Sequence, residues 1–232
     1  VFVYGPGVHR VPPCCPTRRS SDLHGIAVVL GYEDTGSLQR PSDEVGPQVT
    51  NAAALCYGGK LVETYHKIFL PNYGVFDEQR YFQNGSECPV YRIGGVDVGV
   101  NICEDIWYPV GPTTVQCQAG AELIVNINAS PFHAGKRAFR EDMIAQRALE
   151  NGLTVAYVNT VGGQDELVFD GSSIICNNTG GLVARGPAFQ EWLLITDLEF
   201  PDPAAKPSRT RLSAEAARSE ERRVGKECRS RW

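Results

Sequence analysis

The chain has 232 residues, 42% of them hydrophobic, which suffices for one sizeable core and sets a single domain as the expectation. Its formal charge of -5 argues against nucleic acid or an anionic membrane surface as the main partner. No apolar run approaches the roughly 20 residues of a spanning helix, and the N-terminus lacks a signal-peptide layout, so a cytoplasmic location is expected.

The two ends differ from the middle. "PTRRSSDL" (16–23) and "RSEERRVGKECRSRW" (218–232) are polar and basic, with neither helical nor strand periodicity. "RSEERRVG" back-translates to a DNA string whose reverse complement, shifted by one base, encodes "PTRRSSDL", and that string resembles a sequencing-library adapter. Residues 1–23 and 218–232 are therefore expected to be translated artefact, with natural sequence from about His24 to about Ala217.

Within the middle, "GIAVVLGYED" (25–34) reads as a buried strand, and "QVTNAAALCYGGKLVETYHKI" (48–68) as strand, Gly-Gly turn, strand. "LPNYGVFDEQRYFQNGS" (70–86) is rich in turn formers and aromatics and reads as an ordered surface loop. "CPVYRIGGVDVGVNIC" (88–103) is a second strand–Gly-Gly–strand unit. A short helix over 110–120 precedes a parallel-type buried strand over 121–130. "GKRAFREDMIAQRALENG" (135–152) is the clearest helix, with Phe139, Met143, Ile144, Ala145 and Ala148 as its apolar face. A strand follows over 153–163, a polar loop over 161–173, a hairpin over 172–187 and a last strand over 191–200. The Pro- and Ala-rich stretch 201–217 reads as a linker. Hairpins combined with βαβ units predict a mixed sheet in a layered α/β protein.

The eight cysteines do not read as a disulfide framework. Cys56, Cys103 and Cys176 lie in apolar strand-like segments and Cys117 in a helical one, where reduced cysteines of intracellular proteins sit. No CxxC pair and no His/Cys cluster has zinc spacing, and no glycine motif forms a phosphate cradle. No metal site is expected.

Four stretches carry candidate chemistry. In "VGVNICEDIWYP" (98–109) an apolar run delivers Cys103 to a strand end, followed by Glu104 and Asp105. Backbone N–H groups at such a turn favour a thiolate and can hold an oxyanion; the plain alternative is a core cysteine, which local sequence slightly favours. Lys67 follows a strand and is either an exposed strand-end lysine or a cation for a thiolate or oxyanion. His66 beside it belongs to the opposite strand face, so both cannot enter one site. In "NASPFHAGKR" (128–137) a buried strand end precedes a helix, where α/β proteins place ligand groups; Ser130 is either such a group or a turn serine. "VGGQDELVFDGSS" (161–173) is the fourth.

Taken in order, "HKIFLPNYGVFDEQRYF", "GVNICEDIW", "NASPFHAGKR" and "VNTVGGQDELVFDGSS" resemble the nitrilase (carbon–nitrogen hydrolase) superfamily, and within it the glutaminase domain of glutamine-dependent NAD synthetases. The resemblance spans nearly all of residues 25–200. It implies a nitrilase-like αββα sandwich with mixed sheets, incomplete at the N-terminus, and a Glu-Lys-Cys triad. Cys103 would attack the glutamine side-chain amide, Lys67 would stabilise the tetrahedral species, and Tyr73, Glu104, Ser130 and Lys136 would lie near the substrate. No cofactor is implied for this domain; ATP and magnesium belong to a synthetase domain expected to be missing here, and the complete protein is expected to be a homo-oligomer. The family's catalytic Glu belongs before residue 25, where the artefact-like tail stands, and Glu33 follows the wrong strand to replace it. The alternatives are another nitrilase-branch amidase, or a truncated fragment without turnover.

Overall fold

A computed structural model describes residues 26–35, 49–57 and 60–200. The expected artefact tails and the linker 201–217 lie outside the described residues.

Strands β1 (Ala27–Asp34), β2 (Thr50–Tyr57) and β3 (Lys60–His66) pair antiparallel as a three-stranded sheet in the order β1-β2-β3. A six-stranded sheet holds β4 (Val90–Ile93), β5 (Val96–Ile102), β6 (Leu123–Asn128), β7 (Thr154–Asn159), β10 (Ile174–Cys176) and β11 (Leu182–Arg185), in the order β11-β10-β7-β6-β5-β4. Its central strands β5, β6 and β7 are parallel and its flanks antiparallel, the mixed sheet that hairpins plus βαβ units require. The register pairs Ile102 with Ile127 and Asn128 with Asn159, so the three parallel strands end at one edge.

One core lies between the sheets: Val29, Ala53, Leu55 and Tyr65 meet Val98, Val100, Ile102 and Val125. The opposite face of the large sheet packs Ile124, Val155, Tyr157 and Ile174 against Met143, Ile144 and Ala148 of α3 (Lys136–Asn151), with α2 (Pro112–Gln118) alongside. The described layers are thus sheet, sheet and helices, three of the four in an αββα sandwich. Gly99 permits the close contact of β5 with α2: a Cβ there would stand 2.6 Å from Ile124 Cδ1 and 2.9 Å from Gln116 Cδ. Among the described residues no helix is long and apolar enough to cross a membrane.

Four expectations need correction. The loop over 70–86 contains one helical turn, α1 (Glu78–Tyr81). The polar loop over 161–173 is largely a two-stranded hairpin, β8 (Val161–Gln164) with β9 (Leu167–Asp170), because backbone pairing from Val161–Asp170 to Gln164–Leu167 needs no apolar side chains. Residues 191–200 form no strand; Trp192, Leu193 and Ile195 are exposed, and no ladder receives them among the described residues. On α3, Phe139 is exposed and rests at 5.9 Å from the Trp107 ring, while Arg140 and Arg147 are buried in its place.

Candidate active site

The site grows from the shared edge of β5, β6 and β7, where open parallel sheets gather ligand groups. Cys103 directly follows β5 and opens a short 3-10 turn, Cys103–Ile106. Its φ of 47 places a non-glycine residue in the left-handed region, a conformation costing about 1–3 kcal/mol that persists only where its surroundings fix it. The surroundings are polar and buried. Asn126 Nδ2 donates to Asn101 Oδ1 at 2.6 Å and lies 3.5 Å from the Cys103 carbonyl oxygen. Asn101 in turn donates to Thr113 and Gln116 of α2.

Asp105 ties the cysteine turn to the lysine strand. Its Oδ1 accepts from the Ile68 and Phe69 N–H groups at 3.2 and 2.8 Å, and its Oδ2 accepts from Ile102 N–H at 3.0 Å and Tyr65 O–H at 2.8 Å. The carboxylate thus joins the segment after Lys67 to the residue before Cys103. Burial pushes its pKa up to about 6, against the pull of the Phe69 and Ile102 N–H groups, Lys67 and Tyr65.

Lys67 is buried, with 1% of its surface exposed. Its N–H donates to Asn51 O at 2.8 Å, and its carbonyl accepts from Gly85 N–H at 2.8 Å. Only glycine fits at 85, since a Cβ would lie 2.1 Å from His66 O. Lys67 Nζ donates to both carboxylate oxygens of Glu78, at 2.7 and 2.8 Å. Burial opposes the ammonium, but Cys103, Glu78 and Asp105 outweigh it and hold the lysine pKa above its ordinary value. His66 points elsewhere and meets Asp34 Oδ2 at 2.9 Å, as strand alternation requires.

Burial pushes the Cys103 thiol up to about 11, with Lys67 drawing it down and Glu104, Glu78 and Asp105 adding to the rise. At neutral pH the resting group is a thiol beside a protonated lysine. Each neighbouring carboxylate is engaged: Glu78 on Lys67, Asp105 on four donors, and Glu104 Oε1 on Tyr73 O–H at 2.8 Å.

Of the six residues expected from sequence, Lys67, Tyr73, Glu104 and Lys136 each interact electrostatically with Cys103, and Ser130 follows the neighbouring strand β6. Cys103, Lys67 and Glu104 are buried, Tyr73 lies at the exposed rim, and Ser130 is buried just beyond the end of β6. Lys136, the first residue of α3, has its Nζ 5.7 Å from the Trp107 ring centre. Burial lowers its pKa; Cys103, Asp170 and Glu104 oppose the shift and Arg140 adds to it. Sequence reasoning missed Glu78, whose only signal is a charged helical turn eleven residues after Lys67. Among the described residues no group of three His, Cys, Asp or Glu side chains could hold a metal ion.

A strand-end cysteine in left-handed backbone, a buried lysine and a glutamate from the α1 turn bound to that lysine make up a candidate thiol site. The carbon-nitrogen hydrolase family model matches residues 15–205. The chain is 44% identical over 177 residues to the glutamine-dependent NAD(+) synthetase of Thermotoga maritima, covering 76% of this chain and 29% of that protein. It is 51% identical over 150 residues to the enzyme of that name from Aquifex aeolicus, covering 65% of this chain and 26% of the relative. Among solved structures, the glutamine-dependent NAD+ synthetase of Acinetobacter baumannii superposes with a TM-score of 0.66 at 36% identity, over 74% of this chain and 31% of that one. A mutant amidase from Nesterenkonia sp. AN1, with an acetamide moiety on its active-site cysteine, gives 0.60 at 27% identity, over 72% and 59%. The chain belongs to the carbon-nitrogen hydrolase family. It spans less than a third of the length of these synthetase relatives.

Proposed function

We propose that this domain hydrolyses the side-chain amide of glutamine, and that the full protein delivers the ammonia to ATP- and magnesium-dependent amidation of nicotinic acid adenine dinucleotide. The observation that carries the reading is the electrostatic coupling of Cys103, in left-handed backbone, to the buried, Glu78-bound Lys67. The kinship to glutamine-dependent synthetases supplies the substrate.

In the proposed reaction Cys103 loses its proton to a carboxylate base, and Sγ bonds to the amide carbon. Lys67 faces the oxyanion that develops, and a fixed buried cation stabilises such charge without reorganising. The C–N bond then breaks, the departing nitrogen takes the proton as ammonia, and a thioester remains. Water attacks it, releasing glutamate and restoring the thiol. Glu104, Tyr73, Ser130 and Lys136 are proposed to hold the amino-acid end of the substrate. The base is proposed to lie outside the described residues, since the neighbouring carboxylates are committed elsewhere. That commitment also favours a second reading of this literal chain, as a binding-competent scaffold without turnover. Residues 24–200 are proposed as the partial hydrolase domain of a cytoplasmic homo-oligomer.

The test is mass spectrometry after exposure to a diazoketone analogue of glutamine. The expected adduct sits on Cys103 alone and is prevented by excess glutamine. Labelling that survives Cys103→Ala overturns the proposal. Ammonia release from glutamine separates a working hydrolase from the inert scaffold.

A further inference from the structure

Ser130 owes its position to a side chain from the neighbouring strand. Asn159 ends β7 and is buried. Its Oδ1 accepts from Ser130 N–H at 2.8 Å, and its Nδ2 donates back to Ser130 O at 3.3 Å, so one amide grips both backbone polar groups of a single residue. The same Nδ2 reaches Gly171 O at 3.1 Å and Asp170 Oδ1 at 3.5 Å. Asp170 Oδ2 accepts from Arg140 Nη2 of α3 at 2.7 Å, both side chains being buried. Arg140 lies 5.6 Å from the ring centre of Tyr157. The chain Ser130–Asn159–Asp170–Arg140 thus joins the end of β6 to the end of the β8–β9 hairpin and to α3.

We propose that Asn159 is a positioning residue for substrate selection, fixing Ser130 against the amino-acid end of glutamine while leaving the Cys103 turn alone. The inference rests on the glutamine reading above. Its logic is local. The Cys103 turn is held by hydrogen bonds of Asp105 and Asn126, whereas the clamp on Ser130 is made by the Asn159 side chain. Asp at 159 keeps the acceptor for Ser130 N–H. It removes the donor and sets a carboxylate against Asp170, which pushes the two ends apart. Adding Asp170→Asn restores complementarity, because Asn at 170 can donate to Asp at 159 and still accept from Arg140.

The experiment compares Cys103 alkylation by iodoacetamide, too small to need recognition, with alkylation by the diazoketone glutamine analogue. Asn159→Asp is expected to leave the iodoacetamide rate within about twofold and to lower the analogue's advantage about tenfold, the scale of one or two lost hydrogen bonds. Asn159→Asp with Asp170→Asn is expected to recover most of that advantage. Loss of both rates together, an unchanged advantage in Asn159→Asp, or a folded double variant as poor as the single one overturns the inference. If Asn159→Asp does not fold, the double variant decides: recovered advantage supports positioning, and a folded protein without it refutes positioning. A parent chain that shows no advantage for the analogue overturns the glutamine pocket and this inference together; an advantage that survives in Asn159→Asp overturns this inference alone.

Discussion

Glu78→Gln probes the ion pair that holds the buried lysine. In the parent, Lys67 Nζ has both carboxylate oxygens within 2.8 Å, while Lys67 is 1% and Glu78 17% exposed at the side chain. Glutamine keeps one acceptor and turns an N–H donor toward the ammonium. Removing one partner of a fully buried pair costs about 3–5 kcal/mol; the partial exposure of Glu78 and the retained acceptor reduce this to about 2 kcal/mol. With a urea slope of about 2 kcal/mol per molar, the unfolding midpoint should fall by about 1 M at pH 7. The pH dependence follows from the raised lysine pKa. A raised cation contributes stability that is whole below the unfolded value and is lost as pH rises through the folded one. The deficit of the variant should therefore persist from pH 6 to 9 and shrink above about 10.4, the unfolded lysine value, as the parent lysine loses its charge. A midpoint shift under roughly 0.2 M, or a deficit that stays level through pH 11, would refute the idea that Glu78 serves chiefly as the lysine's counter-charge.

Three further outcomes follow from the same geometry. The rate of Cys103 alkylation by iodoacetamide should climb to about pH 11 before levelling, because the thiol pKa is raised to that value; a plateau by about pH 9, near an ordinary thiol, would show the thiol is not so buried. Asp105→Ala strips the acceptor from Ile68, Phe69 and Ile102 N–H and from Tyr65 O–H, and should cost about 3–5 kcal/mol in chemical denaturation even after relief of a strained buried carboxylate; a loss below about 1 kcal/mol would contradict its role as the tie between the two segments. Gly85→Ala forces a Cβ onto His66 O and should lower the unfolding midpoint and slow Cys103 alkylation as the Lys67 charge shifts away from the thiol; an unchanged protein by both measures would count against the close approach.

Most strands are legible because short apolar, β-branched runs bounded by Gly-Gly and other turn residues stand out in the sequence. The parallel β5–β6–β7 centre also announced itself, as continuous apolar runs. The apolar face of α3 is legible at Met143, Ile144 and Ala148, but not the exposure of Phe139 or the burial of two arginines. Arg140 is buried there against Asp170, and Arg147 against the carbonyl oxygens of Ile106 and Trp107 together with its helix neighbour Glu150; all but Glu150 are distant in sequence. Binary patterning reads charge as surface and cannot see such partners. The converse error occurred at 191–200, where Trp192, Leu193 and Ile195 suggested a strand that nothing pairs with among the described residues. At the site, Cys103 and Lys67 could be named because each stands at a strand end. Glu78 was hidden in an aromatic, turn-rich stretch without periodicity, and the clamp by Asn159 depends on a register between two strands. Asp105 was visible as an acid, but only the fold reveals that it is consumed by four donors.

The most direct test of the central claim, that Cys103 is the attacking group and Lys67 its charge partner, is Cys103 labelling by the diazoketone glutamine analogue in the parent and in Lys67→Met, with folding checked by urea denaturation. The account predicts one adduct on Cys103 in the parent, competed by glutamine, and at least about a tenfold slower adduct in the folded lysine variant, since that charge lowers the thiol pKa and faces the developing oxyanion. Equal labelling rates in the two proteins, or an adduct on another cysteine, would contradict it.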